Sequence, residues 1–178
     1  MLYAGVDDSV FDSRASHHQV VMDPQRKLGE GNSVFISASP ADETGRAPRG
    51  QRAVTLSTHT QVAPWLSLKR ADREGYRERK AIYAEKLLAA ADRALPGFSE
   101  GVRFRLTATP ASFERFTRRA DGMVGGFAQT SLWSAMGPRT PIRGLWMVGD
   151  SIFPGQSTAG VTIGAMRVAG ALLGERRR

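Results

Sequence analysis

The segment 145–173 restricts the possible folds of this chain more than any other, because several local signals follow one another within it. Residues 145–148 form an uninterrupted apolar run, which predicts a buried strand of a parallel sheet. Two turn signals come next, Gly149-Asp150 and Pro154-Gly155. Small residues dominate 158–173, where we predict a helix. A strand, a loop and a helix in this order predict an α/β unit with a ligand crevice at the strand end.

The predicted loop carries residues that suit a ligand with hydroxyl groups and a planar ring. Gly149 permits a tight turn beside a ligand, and Asp150 offers two acceptor oxygens to sugar or ribityl hydroxyls. Pro154-Gly155 forms a fixed turn that can lie flat against a ring. Asp150 also fits a purely structural role as an acid flanking a helix.

The start of the predicted helix suits negative charge. The amides of Ala159, Gly160 and Val161 lie where helical N–H groups lack an intrahelical partner, so we expect them to be free for a ligand. With the helix dipole they stabilise a nearby negative charge by about 0.3–1 kcal/mol. A reduced flavin carries negative charge at one edge of its ring, so a helix start of this kind suits that edge. Gly160, Gly164 and Gly170 predict close packing of this helix on the sheet.

The run Arg143-Gly-Leu-Trp-Met-Val-Gly-Asp-Ser-Ile-Phe-Pro-Gly-Gln156 resembles the C-terminal motif of phytoene desaturases and carotenoid isomerases, which are flavoproteins similar to amine oxidases. The isomerase branch is nearest, because it also has a Gly-Asp-Ser-x-Phe-Pro-Gly-Gln run. The resemblance implies an FAD-dependent oxidoreductase of carotenoid biosynthesis, a desaturase or an isomerase, that acts on an apolar polyene. The cofactor-binding residues that it implies are Gly149, Asp150, Phe153, Pro154, Gly155, Gln156, Thr158, Gly160 and Val161.

The rest of the chain supports the resemblance in the order of its motifs. They are His17-His18-Gln19, the strand 34–38 with Ser39-Pro40, the helix 70–95 ending in Leu-Pro-Gly, Thr109-Pro110 and Gly122-x-x-Gly125-Gly126. In the family these lie in the substrate domain. The resemblance therefore implies a substrate-domain-like region over 1–140 and, over 141–178, the last strand, loop and helix of the FAD-binding domain.

Hydrophobic patterning gives the remaining elements and the fold class. Short apolar runs predict strands near 3–6, 20–22 and 34–36, and alternation predicts half-exposed strands over 54–58 and 102–106. A polar loop at 40–52 predicts an antiparallel pair. An apolar stripe predicts a helix over 70–95, and Thr109-Pro110 begins a short helix over 111–117. The fold class predicted is α/β with mixed α+β character, an antiparallel sheet with helices.

The family's Gly-x-Gly-x-x-Gly motif, which holds the FAD pyrophosphate, does not occur in this sequence. Gly29-x-Gly31-x-x-Val34 lacks the third glycine and precedes a strand instead of following one. We therefore expect the chain to be the C-terminal portion of such an enzyme, from a truncated gene, a split gene or a partial reading frame. A separate chain that carries the N-terminal half is a candidate partner. The alternative is a non-catalytic remnant, or a partner-dependent module without a complete flavin site of its own.

Composition and charge indicate which classes of function this sequence does not favour. The net charge is +8, but the basic residues are dispersed and no groove-reading motif accompanies them, so we expect no nucleic-acid partner. The one dense basic cluster, Arg176-Arg177-Arg178, fits a solvated terminus. There is no cysteine and no signal-like N-terminus. We expect a cytoplasmic protein, with peripheral membrane contact as the location that a polyene substrate implies.

Other candidate residues favour structural roles. His17 and His18 face opposite sides of a strand, which disfavours a metal site, and His59 fits an exposed position. Tyr76, Tyr83 and Trp65 fit packing better than cofactor contact. Ser151 lacks a nucleophile elbow and a histidine partner, which disfavours a hydrolase. No catalytic acid or base can be named from the sequence.

Overall fold

The structure is a computed structural model that describes residues 1–11, 15–123, 126, 131, 133 and 135–174. The strands are β1 (Leu2–Asp7), β2 (His17–Val21), β3 (Ser33–Ala38), β4 (Gln51–Ser57) and β5 (Val102–Thr107). The helices are α1 (Val62–Ala71), α2 (Arg73–Ala94), α3 (Pro110–Thr117) and α4 (Thr158–Leu172). The chain divides into two compact units, Met1–Gly122 and Met123–Arg178. Four of the residues named above, Gly125 and the three of the tail 176–178, are not among the described residues.

The first unit contains a five-stranded antiparallel sheet in the order β2-β3-β4-β1-β5. Leu2 of β1 pairs with Leu56 on one side and with Thr107 on the other. The pair β3 and β4, joined by the predicted polar loop, is antiparallel as expected. This arrangement confirms the predicted mixed α/β class and its antiparallel sheet.

The core of the first unit lies between one face of the sheet and α2. Strand residues alternate in burial, and those facing α2 include Leu2, Val6 and Ile36, which have no exposed surface. From α2, Leu87 and Ala91 pack into the same cluster. Each large aliphatic side chain buried in this way stabilises the fold by about 1.5–3 kcal/mol.

The predicted helix 70–95 is confirmed as α2 over Arg73–Ala94, whereas residues 70 and 71 belong to a separate helix, α1, that ends before Asp72. The Asp72 carboxylate accepts hydrogen bonds from the amides of Glu74 and Gly75, both at 3.0 Å, and so caps α2. The sequence prediction missed α1 because Pro64 resembles a loop signal. Pro64 lies in the first turn of α1, where proline costs no hydrogen bond.

Strand β5 forms as predicted, but Phe104 and Leu106 face away from the core, and of its apolar side chains Val102 packs against the core. Phe104 and Leu106 are 63% and 57% exposed. Arg105 instead lies on the side of α2 and pairs with Glu85 at 2.9 Å. Phe35 of β3, 42% exposed, shares the open side of the sheet. We call Tyr3, Phe35, Thr55, Phe104 and Leu106 the outer sheet face.

In the second unit, the predicted strand 145–148 is wrong. The described backbone there forms one isolated antiparallel bridge, between Trp146 and Arg139, and Leu145 and Val148 are more than half exposed. A strand is maintained by hydrogen bonds to neighbouring strands, and one bridge does not provide them. The helix that follows is confirmed as α4.

Candidate functional site

The predicted flavin loop lies in the second unit, between the Arg139–Trp146 bridge and α4. Gly149 and Gly155 have φ values of +115° and +94°, a region that side-chain-bearing residues rarely adopt. A Cβ added to Gly149 would meet no atom within 4 Å. Glycine is therefore required at 149 by the backbone conformation, while the space beside it stays open for a ligand.

Phe153 anchors the middle of this loop to two other parts of its unit. Its amide donates to the Met136 carbonyl at 2.8 Å, and its carbonyl accepts from Arg167 Nη1 at 3.2 Å. The Arg167 guanidinium also lies 5.9 Å from the centre of the Phe153 ring. Arg167 was missed by the sequence reasoning, although it is the one charged residue within α4.

Ser157 caps α4, and this corrects the expectation of free amides at the helix start. Its hydroxyl accepts from the Gly160 amide at 2.9 Å, and its carbonyl accepts from the Val161 amide at 3.0 Å. Of the three amides predicted to be free, only that of Ala159 lacks an acceptor among the described residues. The preference of serine for the N-cap was the signal that would have identified Ser157.

Two of the three glycines of α4 that were predicted to pack on the sheet, Gly160 and Gly164, have their close contacts with the loop. A Cβ on Gly160 would lie 2.5 Å from the carbonyl oxygen of Gly155. One on Gly164 would lie 3.4 Å from the side chain of Ile152, which is 1% exposed. The first turns of α4 therefore approach the loop backbone closely enough to fix its shape.

A second glycine contact supports the loop at Asp150. A Cβ on Gly126 would lie 2.7 Å from the amide nitrogen of Ser151 and 2.8 Å from the carbonyl carbon of Asp150. Gly126 has φ of +72°, so both its conformation and its surroundings require glycine. Asp150 itself is half-buried. Gly126 belonged to the family motif, and its role is to let two backbone segments touch.

The predicted cofactor-binding residues differ in accessibility. Gly155 and Gly160 are buried, and their part is to shape the loop. Gly149, Asp150, Pro154 and Val161 are half-buried. The exposed members are Phe153, Gln156 and Thr158. One side of the loop thus presents an aromatic ring, an amide and a hydroxyl beside the α4 N-terminus.

A hydrogen-bonded cluster in the first unit was not predicted, because its members are far apart in the sequence. The Glu30 carboxylate accepts hydrogen bonds from the Tyr83 and Thr60 hydroxyls and from the Gln61 amide, the last at 2.8 Å. Trp65, 2% exposed, donates to Thr60 at 2.9 Å. Trp65 and the tyrosines therefore have the packing roles that the sequence favoured over cofactor contact.

The same cluster shifts two pKa values in opposite directions. Partial burial raises the pKa of Glu30, but the hydrogen bonds from Tyr83, Gln61 and Thr60 outweigh burial, so the net change is a lowering. For Tyr83, burial and the hydrogen bond to Glu30 both raise the pKa of the phenol. The folded state therefore favours an ionised Glu30 beside a neutral Tyr83.

The histidines lie as predicted, on opposite faces of β2. His17 is exposed and stacks on Phe35 with 5.6 Å between ring centres. His18 Nε2 is buried, and no described residue forms a hydrogen bond with it. Within the described ranges, no three histidine or acidic side chains lie together in a way that suits a metal ion. No helix in the described part of the chain has the length and apolar character to cross a bilayer.

Comparison with known proteins confirms the resemblance seen in the C-terminal motif. The chain is 28% identical over 158 residues to the chloroplastic prolycopene isomerase of Arabidopsis thaliana, covering 86% of this chain and 26% of that protein. The Daucus carota enzyme is 27% identical over the same share of this chain. Prolycopene isomerase 2 of an Oncidium hybrid cultivar is 28% identical.

These similarities cover only part of each relative. The chain spans about a quarter of the length of the curated relatives it matches. They fit the C-terminal part of a carotenoid isomerase or desaturase. No protein-family model matches the chain.

Proposed function

We propose that this chain is part of a flavin-dependent oxidoreductase that isomerises or desaturates carotenoid-like polyenes. The similarity to prolycopene isomerases over 86% of the chain carries this proposal. The loop 149–157 before α4 supports it, because its sequence, the open space beside Gly149 and its exposed polar side chains suit a bound cofactor.

The loop residues fit FAD in three ways. Space beside Gly149 admits a ligand against the backbone, and Asp150 supplies acceptors for ribityl hydroxyls. Phe153, Pro154 and Gly155 form a surface for the ring, with Gln156 and Thr158 at its border. The α4 N-terminus stabilises negative charge even with Ser157 in place, because the aligned peptide dipoles remain. When bound, FAD would supply the electron chemistry, and these residues would orient it.

We infer that two successive regions of the chain have different roles. Residues 1–140 would form a substrate-domain-like region, and 141–178 would complete an FAD-binding domain whose glycine-rich half lies elsewhere. Along the sequence, the boundary between the two compact units falls between Gly122 and Met123, before the boundary proposed here at residue 140. A Gly-x-Gly-x-x-Gly segment from outside residues 1–178 would hold the pyrophosphate, because the loop 149–157 would contact only one part of a dinucleotide.

The outer sheet face suits the apolar part of a polyene. Phe104 and Leu106 lie on the same strand two residues apart, so both side chains point to one side. Through the register, Leu106 lies opposite Tyr3, and Tyr3 lies opposite Thr55. The result is a row of side chains across several strands in which Phe104 and Leu106 are exposed and Tyr3 and Thr55 are half-buried, a surface that a flat hydrocarbon chain can cover.

The test is a chimera in which this chain replaces the matching quarter of the Arabidopsis thaliana prolycopene isomerase. We expect the purified chimera to convert prolycopene, which a chromatographic assay of the geometric isomers would detect. A matched chimera with Asp150→Ala should lose most of that activity while it folds normally. A folded chimera with no isomerase activity would contradict the proposal and favour the non-catalytic module.

A further inference from the structure

The β2–β3 loop, residues 22–32, is held in shape by a buried side chain. Asn32 is 8% exposed. Its Nδ2 donates to the carbonyl oxygens of Asp23, Arg26 and Lys27 at 3.0, 3.3 and 3.1 Å. Its Oδ1 accepts from the Asp23 amide at 2.9 Å. One amide side chain thus fixes the backbone of residues 23–27.

The end of the loop is held by its own backbone amides. Gly29, Glu30 and Gly31 all have positive φ, at +91°, +53° and +85°. Their amides donate to Ser33 Oγ, the His59 carbonyl and Thr58 Oγ1, at 2.7–2.9 Å. The conformation of the loop therefore does not depend on the side chains of residues 26–28, which are all exposed.

A cavity of about 400 Å³ lies between this loop and α2. Three cations line it, Arg26, Lys27 and Lys86, with a single acid, Glu30. None of these cations takes part in an ion pair within the described ranges. The Glu30 carboxylate is already engaged by Tyr83, Thr60 and Gln61. The lining therefore has an excess of positive charge, and these cations have no ion-pair partner among the described residues of the first unit.

Lys86 is positioned and not merely nearby. A Cβ on Gly31 would lie 3.2–3.3 Å from the stem of Lys86, so the stem lies directly on the loop glycine. The Lys86 ammonium lies 5.0 Å from the centre of the Tyr83 ring. Tyr83 is in turn held by Glu30. A cation–π contact and a packed stem thus hold Lys86 beside the loop, where it is part of the lining of the cavity.

Leu28 shows which kind of anion the cavity suits. It is 71% exposed and lies between Lys27 and Gly29 at the rim. Met22 and Ala89 add apolar surface to the lining. A soluble phosphate ion gains nothing from an exposed leucine, whereas a membrane surface offers both anionic headgroups and an apolar layer for it.

We propose that this cavity binds the phosphate-bearing headgroup of an anionic lipid, with Leu28 entering the interface beside it. Arg26 and Lys27 contact the phosphate from the loop, and Lys86 contacts it from α2. This goes beyond the proposed flavin chemistry and does not rest on it, because every residue involved lies in the first unit and far from the loop 149–157 in sequence. The proposal therefore stands or fails separately.

The experiment is vesicle cosedimentation with the full 178-residue chain. The vesicles contain either phosphatidylcholine alone or equal parts of phosphatidylcholine and phosphatidylglycerol. We expect binding to the mixed vesicles and little to the neutral ones. Replacing Arg26, Lys27 and Lys86 by glutamine should weaken binding about a hundredfold, at about fivefold for each charge near an anionic surface.

The matched control removes three exposed cations elsewhere, with Lys69→Gln, Arg70→Gln and Arg77→Gln. It has the same net charge as the test variant, so equal weakening in both would show unspecific attraction and overturn the proposal. Leu28→Ser should weaken vesicle binding several-fold while binding of inorganic phosphate, followed by calorimetry, stays unchanged. Binding of inorganic phosphate without binding to mixed vesicles would identify a soluble-anion site and contradict the lipid assignment.

Discussion

At the scale of single residues, the structure depends on a few polar groups that bridge distant parts of the sequence. Glu30 connects the β2–β3 loop to the start of α1 through Gln61 and to α2 through Tyr83. Arg79 lies over the Trp65 ring at 4.7 Å and completes the surroundings of this carboxylate. Such a cluster rigidifies the edge of the unit, because every member has several partners.

The Glu30 cluster predicts a specific pH dependence of stability. Because folding lowers the pKa of Glu30, its contribution is present above the pKa of the unfolded side chain, about 4.3, and is lost as the pH falls through the folded value. The raised pKa of Tyr83 works in the other direction, since its contribution is lost as the pH rises above about 10.

The variant that tests this is Glu30→Gln, studied by urea denaturation over a range of pH. At neutral pH we expect it to be less stable than the wild type by about 1–2 kcal/mol, the cost of weakened hydrogen bonds to a charged acceptor. The difference should shrink as the pH falls through the folded pKa of Glu30, because the wild-type carboxylate then becomes neutral as well. Glu43→Gln, an exposed pair partner of Arg46, is the control. A penalty independent of pH would contradict the cluster's electrostatic role.

At the scale of elements, α4 and the loop 149–157 behave as one folded piece. Ser157 begins the helix, Gly160 approaches the Gly155 carbonyl, and Arg167 binds the Phe153 carbonyl. Three contacts in succession along the helix thus set the loop shape before any ligand arrives. The loop geometry is a property of the helix surface as much as of the loop sequence.

Gly160→Ala should loosen this piece. The added methyl would lie 2.5 Å from a backbone oxygen, so loop or helix must shift, at a cost of about 1–3 kcal/mol. Hydrogen exchange of the α4 amides would report this as faster opening in the second unit alone. Gly137→Ala is the matched control, because a Cβ there meets no atom within 4 Å. Equal protection in both variants would show that the close approach does not matter.

Helices and strands that a local sequence pattern specifies could be predicted from the sequence. Elements that depend on contacts with distant parts of the chain could not. Alternation along β4 and the Thr109-Pro110 start of α3 are local, and both elements form where expected. The run 145–148 is equally apolar, but a strand needs neighbours, and it forms only the bridge at Trp146. The orientation of β5 was also missed, because apolar alternation does not say which side faces the core.

The candidate site was predictable to the same degree. Gly149 and Gly155 were recognised from the turn signals, and both have the positive φ that excludes other residues. Ser157 and Arg167 were missed, since their roles come from contacts across the loop. The Glu30 cluster joins residues that lie up to 53 positions apart, which no local pattern reveals.

At the scale of the whole molecule, the first unit has one buried and one open sheet face. The buried face forms the core with α2, whereas the outer sheet face leaves Phe104 and Leu106 largely in solvent. Exposed apolar groups of this size mark a binding surface or a tendency to aggregate. We expect both consequences in the free chain.

Phe104→Ser together with Leu106→Ser should weaken polyene binding by the outer sheet face without unfolding the protein. Because both side chains are already more than half exposed, we expect the free energy of unfolding to change by less than about 1 kcal/mol. Quenching of protein fluorescence by a conjugated polyene should weaken, and solubility should rise. Phe116→Ser, which removes a 79% exposed aromatic from α3, is the control. Unchanged polyene binding in the double variant would exclude the outer sheet face as the substrate surface.

The central claim is that the loop 149–157 and the start of α4 contact a flavin. The most direct measurement is the flavin content, after gel filtration, of this chain coexpressed with the glycine-rich portion of a prolycopene isomerase. We predict a complex that retains FAD, and loss of that FAD with Asp150→Ala while the complex stays assembled. An assembled complex without flavin, or undiminished flavin in the Asp150→Ala complex, would contradict the assignment of this loop.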